Sequence, residues 1–136
     1  MTDTTAPATT SGDVLDLDAI TSEVFAAAER GEWDRFASFF APEATIRQNV
    51  TSAMTLDEAL VVLPATGADG SQLRYENVRR FVGDDHVTEL HDAVFTKPDG
   101  RRIAIDICVV IRFDAEARIV QVDEYLDSAA AAALFS

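Results

Sequence analysis

Apolar and polar positions follow two different periods along the chain, and the change falls near its middle. From residue 16 to residue 30 the apolar side chains recur every three or four positions, which is typical of an amphipathic helix. Two shorter helical segments follow, "EWDRFASFF" and "TLDEALVVL", and Thr55 and Glu58 have the spacing of a capping box at the start of the second. The first half therefore predicts three helices, with a short strand "ATIRQNV" between the second and the third.

The second half of the chain alternates with a period of two, as strands do. Four runs show it, "QLRYENVRRFV", "HVTELHDAVFT", "RRIAIDICVVIRF" and "RIVQVDEYL", and a short alanine-rich helix ends the chain. The connections "GDD", "KPDG" and "DAEA" are rich in turn-forming residues, so neighbouring strands should be antiparallel. This order predicts an α+β fold in which a curled antiparallel sheet forms a cone, with the N-terminal helices packed across its concave face.

Composition limits the classes of partner and the location. The chain has 136 residues with 24 acidic against 11 basic side chains, a net charge of −13, which argues against nucleic-acid and anionic-membrane partners. Residues 1–12, "MTDTTAPATTSG", predict a disordered leader, and residues 13–136 predict one domain. No signal-peptide pattern is present and no apolar run approaches the ~20 residues of a membrane span, so the prediction is a cytoplasmic protein.

Cysteine and histidine are scarce. The single Cys108 excludes an internal disulfide and a cysteine-based zinc site, and the two histidines argue against a histidine-rich metal site. We therefore expect no metal and no cofactor.

The strand "RIAIDICVVIRF" shows most clearly which side chains face the inside of the cone. One face is apolar throughout, and it holds Ile103, Ile105, Ile107, Val109, Ile111 and Phe113. The opposite face holds Asp106 and Arg112, so we expect Asp106 to point away from the pocket.

Single acids interrupt the apolar phase of two other strands. Glu124 shares a face with Val120, Val122 and Leu126, and Asp92 shares a face with Leu90 and Val94. A carboxylate in an apolar setting is costly unless chemistry or a partner requires it, so Asp92 and Glu124 form a candidate acid/base pair. His91 would then face outward with a structural role. The alternatives are that arginines neutralise the two acids, or that a bulge inverts the phase.

The short strand "ATIRQNV" offers possible partners for these acids. Arg47 and Asn49 share a face; Arg47 would hold a carboxylate bidentately and Asn49 would orient a water. The alternative for both is a solvated strand end. Trp33 would either line the mouth of the pocket or pack between helix and sheet.

The segments "GEWDRFASFFAPEATI" and "RFDAEARIVQVDEYLD" resemble the nuclear transport factor 2-like (cystatin-like) superfamily, including its SnoaL-like members. The resemblance extends over about residues 16–130 and implies the cone and a homodimer formed through the outer sheet face. It does not specify the reaction, because this fold carries many activities.

Within the superfamily the chain is most similar to the limonene-1,2-epoxide hydrolases. In that alignment Asn49 falls on their asparagine, and Asp92 and Glu124 fall on their two catalytic aspartates, one of which activates a water while the other protonates the epoxide. Leu90 stands where those enzymes have an arginine, and Arg47 stands at their tyrosine, so Arg47 is the candidate replacement cation.

The sequence thus predicts a cofactor-independent acid/base enzyme acting on a small apolar organic molecule, with epoxide hydrolysis as the named reaction. The catalytic candidates are Asp92, Glu124, Asn49 and Arg47, and the substrate-binding candidates are Leu90, Val94, Ile105, Ile107, Val109, Val122, Leu126 and Trp33. The alternatives are a SnoaL-like cyclase or isomerase with Glu124 as general base, and a ligand-binding or assembly module without turnover.

Overall fold

The first helix begins and ends where the sequence supplies caps. The computed structural model describes residues 16–49 and 51–134, and the predicted leader lies outside these ranges. Helix α1 is Leu17–Arg30; the Asp16 side chain accepts a hydrogen bond from the Ala19 amide, and Gly31 ends the helix at a φ of 68°, which glycine adopts without strain. One stripe of the helix is buried: Leu17, Thr21, Val24, Ala27 and Ala28.

Three shorter helices complete the set in the described residues: α2 is Trp33–Ser38, α3 is Leu56–Ala65 and α4 is Ser128–Ala133. The predicted capping box is confirmed, since Thr55 and Glu58 each accept a hydrogen bond from the other's backbone amide.

The second helix is shorter than the apolar pattern predicted. It ends at Ser38, and strand β1, Phe40–Gln48, begins two residues later and runs through Pro42. Pro42 lies in this strand, at a place where the pairing of β1 is irregular between Phe40 and Thr45. A proline has no amide to donate, so it fits such an interruption.

The remaining strands build one curled, open sheet. They are β2, Met54–Thr55; β3, Gln72–Val82; β4, His86–Thr96; β5, Arg102–Phe113; and β6, Ile119–Leu126. The spatial order is β2-β1-β6-β5-β4-β3. The predicted α+β class and curled sheet are confirmed, but the sheet is not wholly antiparallel, because β1 and β6 pair in parallel. These two strands are far apart in sequence and are not joined by a hairpin.

The core lies between the helices and one face of the sheet. The predicted inner face of β5 is confirmed: Ile105, Val109, Ile111 and Phe113 are buried, whereas Asp106 on the opposite face is exposed. In β6 the predicted phase is correct at Val122 but fails at its start, where the fully buried residue is Ile119 and not Val120. A register shift between Arg112 and Phe113 on β5 accounts for this local change of face.

Candidate active site

A cavity of about 290 Å³ lies between the helices and the inner face of the sheet. Its wall is largely aliphatic and aromatic, which suits a small apolar molecule. Six of the residues predicted to line a pocket are in this wall: Trp33, Ile105, Ile107, Val109, Val122 and Leu126. The polar side chains of the wall include Gln48, Tyr75 and Glu124.

Glu124 is the only carboxylic acid among the described residues that line this cavity. It lies opposite Gln48 in the parallel pair β1–β6, and the Gln48 Nε2 donates a hydrogen bond of 2.8 Å to its Oε1. Burial raises the pKa of Glu124, while the Gln48 hydrogen bond and the charge of His91 act in the opposite direction. The site therefore holds a carboxyl group whose proton is retained to a higher pH than that of an exposed glutamate.

The phase predicted for β4 is wrong. His91 pairs with Ile107 and Ala93 pairs with Ile105, so the odd-numbered residues of β4 share the inner face of β5. Glu89 is 0% exposed and His91 is 3% exposed, which places both inside. Asp92 consequently lies on the outer face, opposite the position that its expected catalytic role requires.

On the outer face Asp92 is directly opposite Asp106. The Asn77 amide donates a 2.7 Å hydrogen bond to Asp92 Oδ2, and this bond is the main reason that the pKa of Asp92 is lowered. The hydrogen bond with Asp92 and its negative charge raise the pKa of Asp106. Asp92 and Asp106 thus form one hydrogen-bonded pair on the side of the sheet that is remote from the cavity.

Two predicted substrate contacts also lie on the outer face. Leu90 pairs with Cys108 and Val94 pairs with Ala104, and neither Leu90 nor Val94 is in the cavity wall. The prediction that they line the pocket is wrong for the same reason as that for Asp92.

Arg47 is on the outer face as well. Its Nε lies 3.2 Å from Asp123 Oδ1, and its Nη2 donates a 2.8 Å hydrogen bond to the Tyr125 hydroxyl. Arg47 therefore neutralises an outer acid and does not reach Glu124, which is on the inner face of the same strand pair.

Asn49 binds backbone at the end of the β1–β6 pair. Its Nδ2 donates to the Leu126 carbonyl at 3.1 Å, and its Oδ1 accepts from the Leu126 amide at 3.0 Å. Its own amide donates to the Glu124 carbonyl at 2.9 Å. Asn49 thus fixes the backbone that carries Glu124, and its side chain is occupied by that role.

The structure adds a buried ionic cluster that was not among the predicted site residues. Arg80 places Nε and Nη2 at 2.7 and 2.6 Å from Glu89 Oε1, and His91 Nδ1 lies 2.5 Å from Glu89 Oε2. Arg80 also bonds to the Asp18 carboxylate at 2.8 Å and to the Ser22 hydroxyl at 2.7 Å, both on α1. The inward Glu89 is therefore compensated by an arginine that ties β3 to α1.

These polar groups form one row across the inner face of the sheet. Arg80 pairs with Glu89, Glu89 with Val109, Val109 with Glu124, and Glu124 with Gln48. The only apolar member of the row is Val109.

One sequence signal would have located the inward acid of β4. The turn "KPDG" brings Thr96 opposite Arg102, and the pairs counted back from it join even positions to even positions and odd positions to odd positions. The inner face of β5 consists of odd positions, so this count places Glu89 and His91 inside. Apolar phase alone was ambiguous, because Ala93 and Phe95 are apolar too.

None of the helices in the described ranges is both long enough and apolar enough to cross a membrane. Within residues 16–49 and 51–134, no group of three or more His, Cys, Asp or Glu side chains is arranged to hold a metal ion.

Comparison with solved structures shows the same fold in several bacterial proteins. Among them is a putative polyketide cyclase from Xanthomonas campestris pv. campestris, with a TM-score of 0.73, 14% identity and coverage of 88% of this chain and 96% of that one. Another is a putative SnoaL-like polyketide cyclase from Shewanella denitrificans, with a TM-score of 0.75, 10% identity and coverage of 88% of this chain and 96% of that one. An LEH-like epoxide hydrolase of M. tuberculosis has a TM-score of 0.69, 12% identity and 87% coverage of each chain.

No curated protein matches the chain in sequence. The family model of the SnoaL-like domain matches residues 21–122, which include most of α1, the row residues Gln48, Arg80, Glu89 and Val109, and the first half of β6; Glu124 lies two residues beyond the match. The chain belongs to the SnoaL-like domain family.

Proposed function

We propose that this protein is an enzyme that binds a small apolar molecule in the cavity and uses Glu124 as a general acid toward an oxygen atom of that molecule. One observation carries the proposal: a carboxyl group stands in a mainly apolar cavity and is held there by Gln48. A group placed in this way is costly for folding, and such groups are concentrated at sites of chemistry.

The environment of Glu124 favours the protonated acid. Burial is the largest influence on its pKa and raises it. Gln48 occupies Oε1, and within the described residues Oε2 has no hydrogen-bond partner, so this oxygen is available to a ligand. A protonated carboxyl group with one oxygen anchored and the other free has the geometry of a proton donor.

Epoxide opening fits this arrangement. Glu124 would give its proton to the epoxide oxygen as the carbon–oxygen bond breaks, and the bonding electron pair would become a lone pair of the new hydroxyl group. A water molecule would add to the carbon and release one proton, which returns to the Glu124 carboxylate, so that a diol is formed and the acid is restored. The similarity in fold to the LEH-like epoxide hydrolase supports this reaction class.

A second candidate is ring closure. If a hydroxyl group of the substrate attacks in place of water, the same proton donation gives a cyclic ether. The fold shared with proteins named putative polyketide cyclases, together with the position of Glu124 on the last strand, favours keeping this reaction in the test.

The predicted pairing of Glu124 with Asp92 has no part in this proposal. Asp92 and Arg47 lie on the outer face with their own partners, and Asn49 holds backbone. In this proposal Glu124 is the catalytic residue and Gln48 is the residue that positions it.

The test is turnover of a panel of small epoxides, including some that carry an internal hydroxyl group. Wild type would be compared with Glu124→Gln, which keeps the size of the side chain, and with Asp123→Asn, a neighbouring change on the outer face. Trp33 is the single tryptophan and lines the cavity, so its fluorescence reports ligand entry in every variant. We expect Glu124→Gln to bind ligands while losing ~100-fold or more in rate, as removal of a general acid does.

Two outcomes would contradict the proposal. Equal turnover by wild type and Glu124→Gln would remove Glu124 from the chemistry. Ligand binding without turnover of any panel member by wild type would favour a binding module.

A further inference from the structure

Tyr75 carries a hydroxyl group that has no partner in the described protein. The residue lies on the inner face of β3, opposite Ala93 of β4, and its side chain is part of the cavity wall. Within residues 16–49 and 51–134 no hydrogen bond reaches this hydroxyl group. It is not closed off from solvent either, because among the described residues only His91 Nε2 is both inaccessible and unpaired. The Tyr75 hydroxyl group is therefore open to a molecule in the cavity.

The rest of Tyr75 is held by its neighbours. Its backbone amide donates a 2.8 Å hydrogen bond to the Glu29 carboxylate of α1. Its ring contacts those of Phe25 and His91, with centroids 4.9 and 4.6 Å away. His91 is fixed in turn, since its Nδ1 lies 2.5 Å from Glu89. The ring thus stands in one position before a ligand binds, which lowers the entropic cost of a bond to its hydroxyl group.

A phenylalanine at position 75 would make the same contacts. Both ring contacts belong to the aromatic ring, and the bond to α1 belongs to the backbone. The hydroxyl group contributes to none of them, and a hydroxyl group in an apolar wall costs free energy unless it is hydrogen-bonded. Its presence therefore points to a partner that arrives with the ligand.

Tyr75 and Glu124 stand on different rows of the sheet. The register leads from Tyr75 through Ala93 to Ile105, whereas Glu124 pairs with Val109, four residues further along β5. Four residues of a strand span roughly 13 Å. The strands that carry the two side chains, β3 and β6, are also separated by β4 and β5. The two groups thus reach the cavity from different sides and meet different atoms of a ligand.

Both groups can donate a proton to a hydrogen bond. Burial raises the pKa of Tyr75, and the charges of Glu124, Glu29 and Glu89 raise it further, so the hydroxyl group keeps its proton. Among these charges that of Glu124 has the largest effect, which places the acid within electrostatic reach across the cavity. Two separate O–H donors, one on Glu124 and one on Tyr75, therefore face a mainly apolar space.

We propose that Tyr75 is a substrate-binding residue whose hydroxyl group donates a hydrogen bond to a second oxygen of the substrate, distinct from the oxygen that Glu124 protonates. The inference rests on the proposed function and deepens it by naming the substrate class: a small apolar skeleton that carries two oxygen acceptors. A molecule without the second acceptor is disfavoured, because it leaves the hydroxyl group of Tyr75 unpaired.

The first test uses three ligands of similar shape with no, one and two acceptors: para-diethylbenzene, para-ethylacetophenone and para-diacetylbenzene, together with their meta isomers as a second spacing. Calorimetry gives their affinities for wild type and for Tyr75→Phe. We expect the variant to lose roughly threefold to tenfold in affinity for the diketone whose spacing fits, the contribution of one hydrogen bond. The monoketone keeps its bond to Glu124 and should lose less than about twofold, and the hydrocarbon should lose nothing.

The chain offers a matched control in Tyr125, its other tyrosine, which lies on the outer face and accepts a hydrogen bond from Arg47. Tyr125→Phe should leave the affinities of all the ligands unchanged. The free energy of unfolding separates binding from a structural role. Tyr75→Phe should not lower it, because the hydroxyl group has no partner in the described protein to lose, whereas loss of a structural hydrogen bond would.

The second test observes the hydroxyl group in the wild-type protein. Labelling tyrosine with carbon-13 at Cζ gives two signals, one from Tyr75 and one from Tyr125, which the two phenylalanine variants assign. We expect the diketone to shift the Tyr75 signal more than the hydrocarbon of the same shape does, and to leave Tyr125 in place. Equal shifts of the Tyr75 signal with both ligands would contradict the hydrogen bond.

The outcomes separate this inference from the proposed function. If Tyr75→Phe binds the diketones as wild type does, the role of Tyr75 is refuted, while Glu124 stands or falls with the epoxide turnover of Glu124→Gln. If the variant loses equal affinity for the monoketone and the diketone, the substrate class with two oxygens is refuted. If none of the ligands enters the cavity, the subsite at Tyr75 is refuted as well.

Discussion

Gln48 and Glu124 lie opposite each other on two strands that are far apart in sequence and pair in parallel, and the amide of Gln48 donates a 2.8 Å hydrogen bond to the carboxyl group of Glu124. This bond fixes one oxygen of the acid while the side chain stands in an apolar cavity. It also opposes the effect of burial, because it stabilises the charged form. Gln48 is therefore the residue through which the acidity of the site can be changed without removing the acid.

Gln48→Met should raise the pKa of Glu124 further. The substitution removes the hydrogen bond that favours the carboxylate and leaves the burial that disfavours it. The measurement is the carboxyl-carbon NMR shift of Glu124 against pH. The control is Gln121→Met. Gln121 is on the same strand as Glu124 but on the outer face, where it bonds to Asp123, so this change should leave the titration curve of Glu124 unaltered. A lower pKa in Gln48→Met would contradict the assignment of the bond.

The stability of wild type relative to Glu124→Gln should decrease as pH rises. The pKa of Glu124 is raised in the folded state, so between the unfolded pKa and the folded pKa the folded protein holds more protons, and stability falls with increasing pH. Glutamine has no such dependence. Thermal unfolding at a series of pH values measures the difference, which should be constant below the usual glutamate pKa and shift in favour of the variant above it. A difference that moves in the opposite direction would show a lowered pKa.

Arg80→Met should destabilise the protein by about 3 kcal/mol, the cost of leaving a buried carboxylate without its cation. Glu89 is fully buried, and Arg80 is 14% exposed and also binds α1. Arg79→Met, one residue earlier and exposed, is the matched control and should change stability by less than about 1 kcal/mol. Denaturant unfolding of both variants gives the comparison; equal losses would mean that the buried pair is not the origin of the effect.

Asp92→Asn should leave the cavity unaffected. Asp92 is on the outer face with Asn77 and Asp106, so the affinity of an apolar ligand, measured by the fluorescence of Trp33, should stay within about twofold of wild type. The epoxide turnover that Glu124→Gln loses should be retained. Loss of turnover in Asp92→Asn with unchanged folding would restore the pairing of Asp92 with Glu124 that the sequence suggested.

Much of the fold follows from local patterns. The stripe of α1, the capping box at Thr55 and the apolar face of β5 each depend on residues close together in the chain, so periodicity and capping rules suffice to predict them. The same applies to Glu124, whose neighbours Val122 and Leu126 are on its face and line the cavity with it.

The face of β4 needed more than local pattern. Both of its faces contain apolar residues. The buried polar pair Glu89 and His91 is stable inside only because Arg80 of β3, which also binds Asp18 of α1, neutralises the charge of Glu89. A one-residue change of phase exchanges the two faces of a strand, so the choice between Asp92 and His91 depended on pairing with β5.

The sequence by itself determined the α+β class, the apolar wall and the inward acid of the last strand, because these follow from the period of side chains along single elements. The tertiary structure decided which groups meet that acid. Gln48 reaches Glu124 through a parallel pairing of distant strands, and the register of a hairpin places His91 and Glu89 on the inner face of the sheet. Such contacts join residues far apart in the chain, and the balance of burial against pairing that selects them exists only when the strands are assembled.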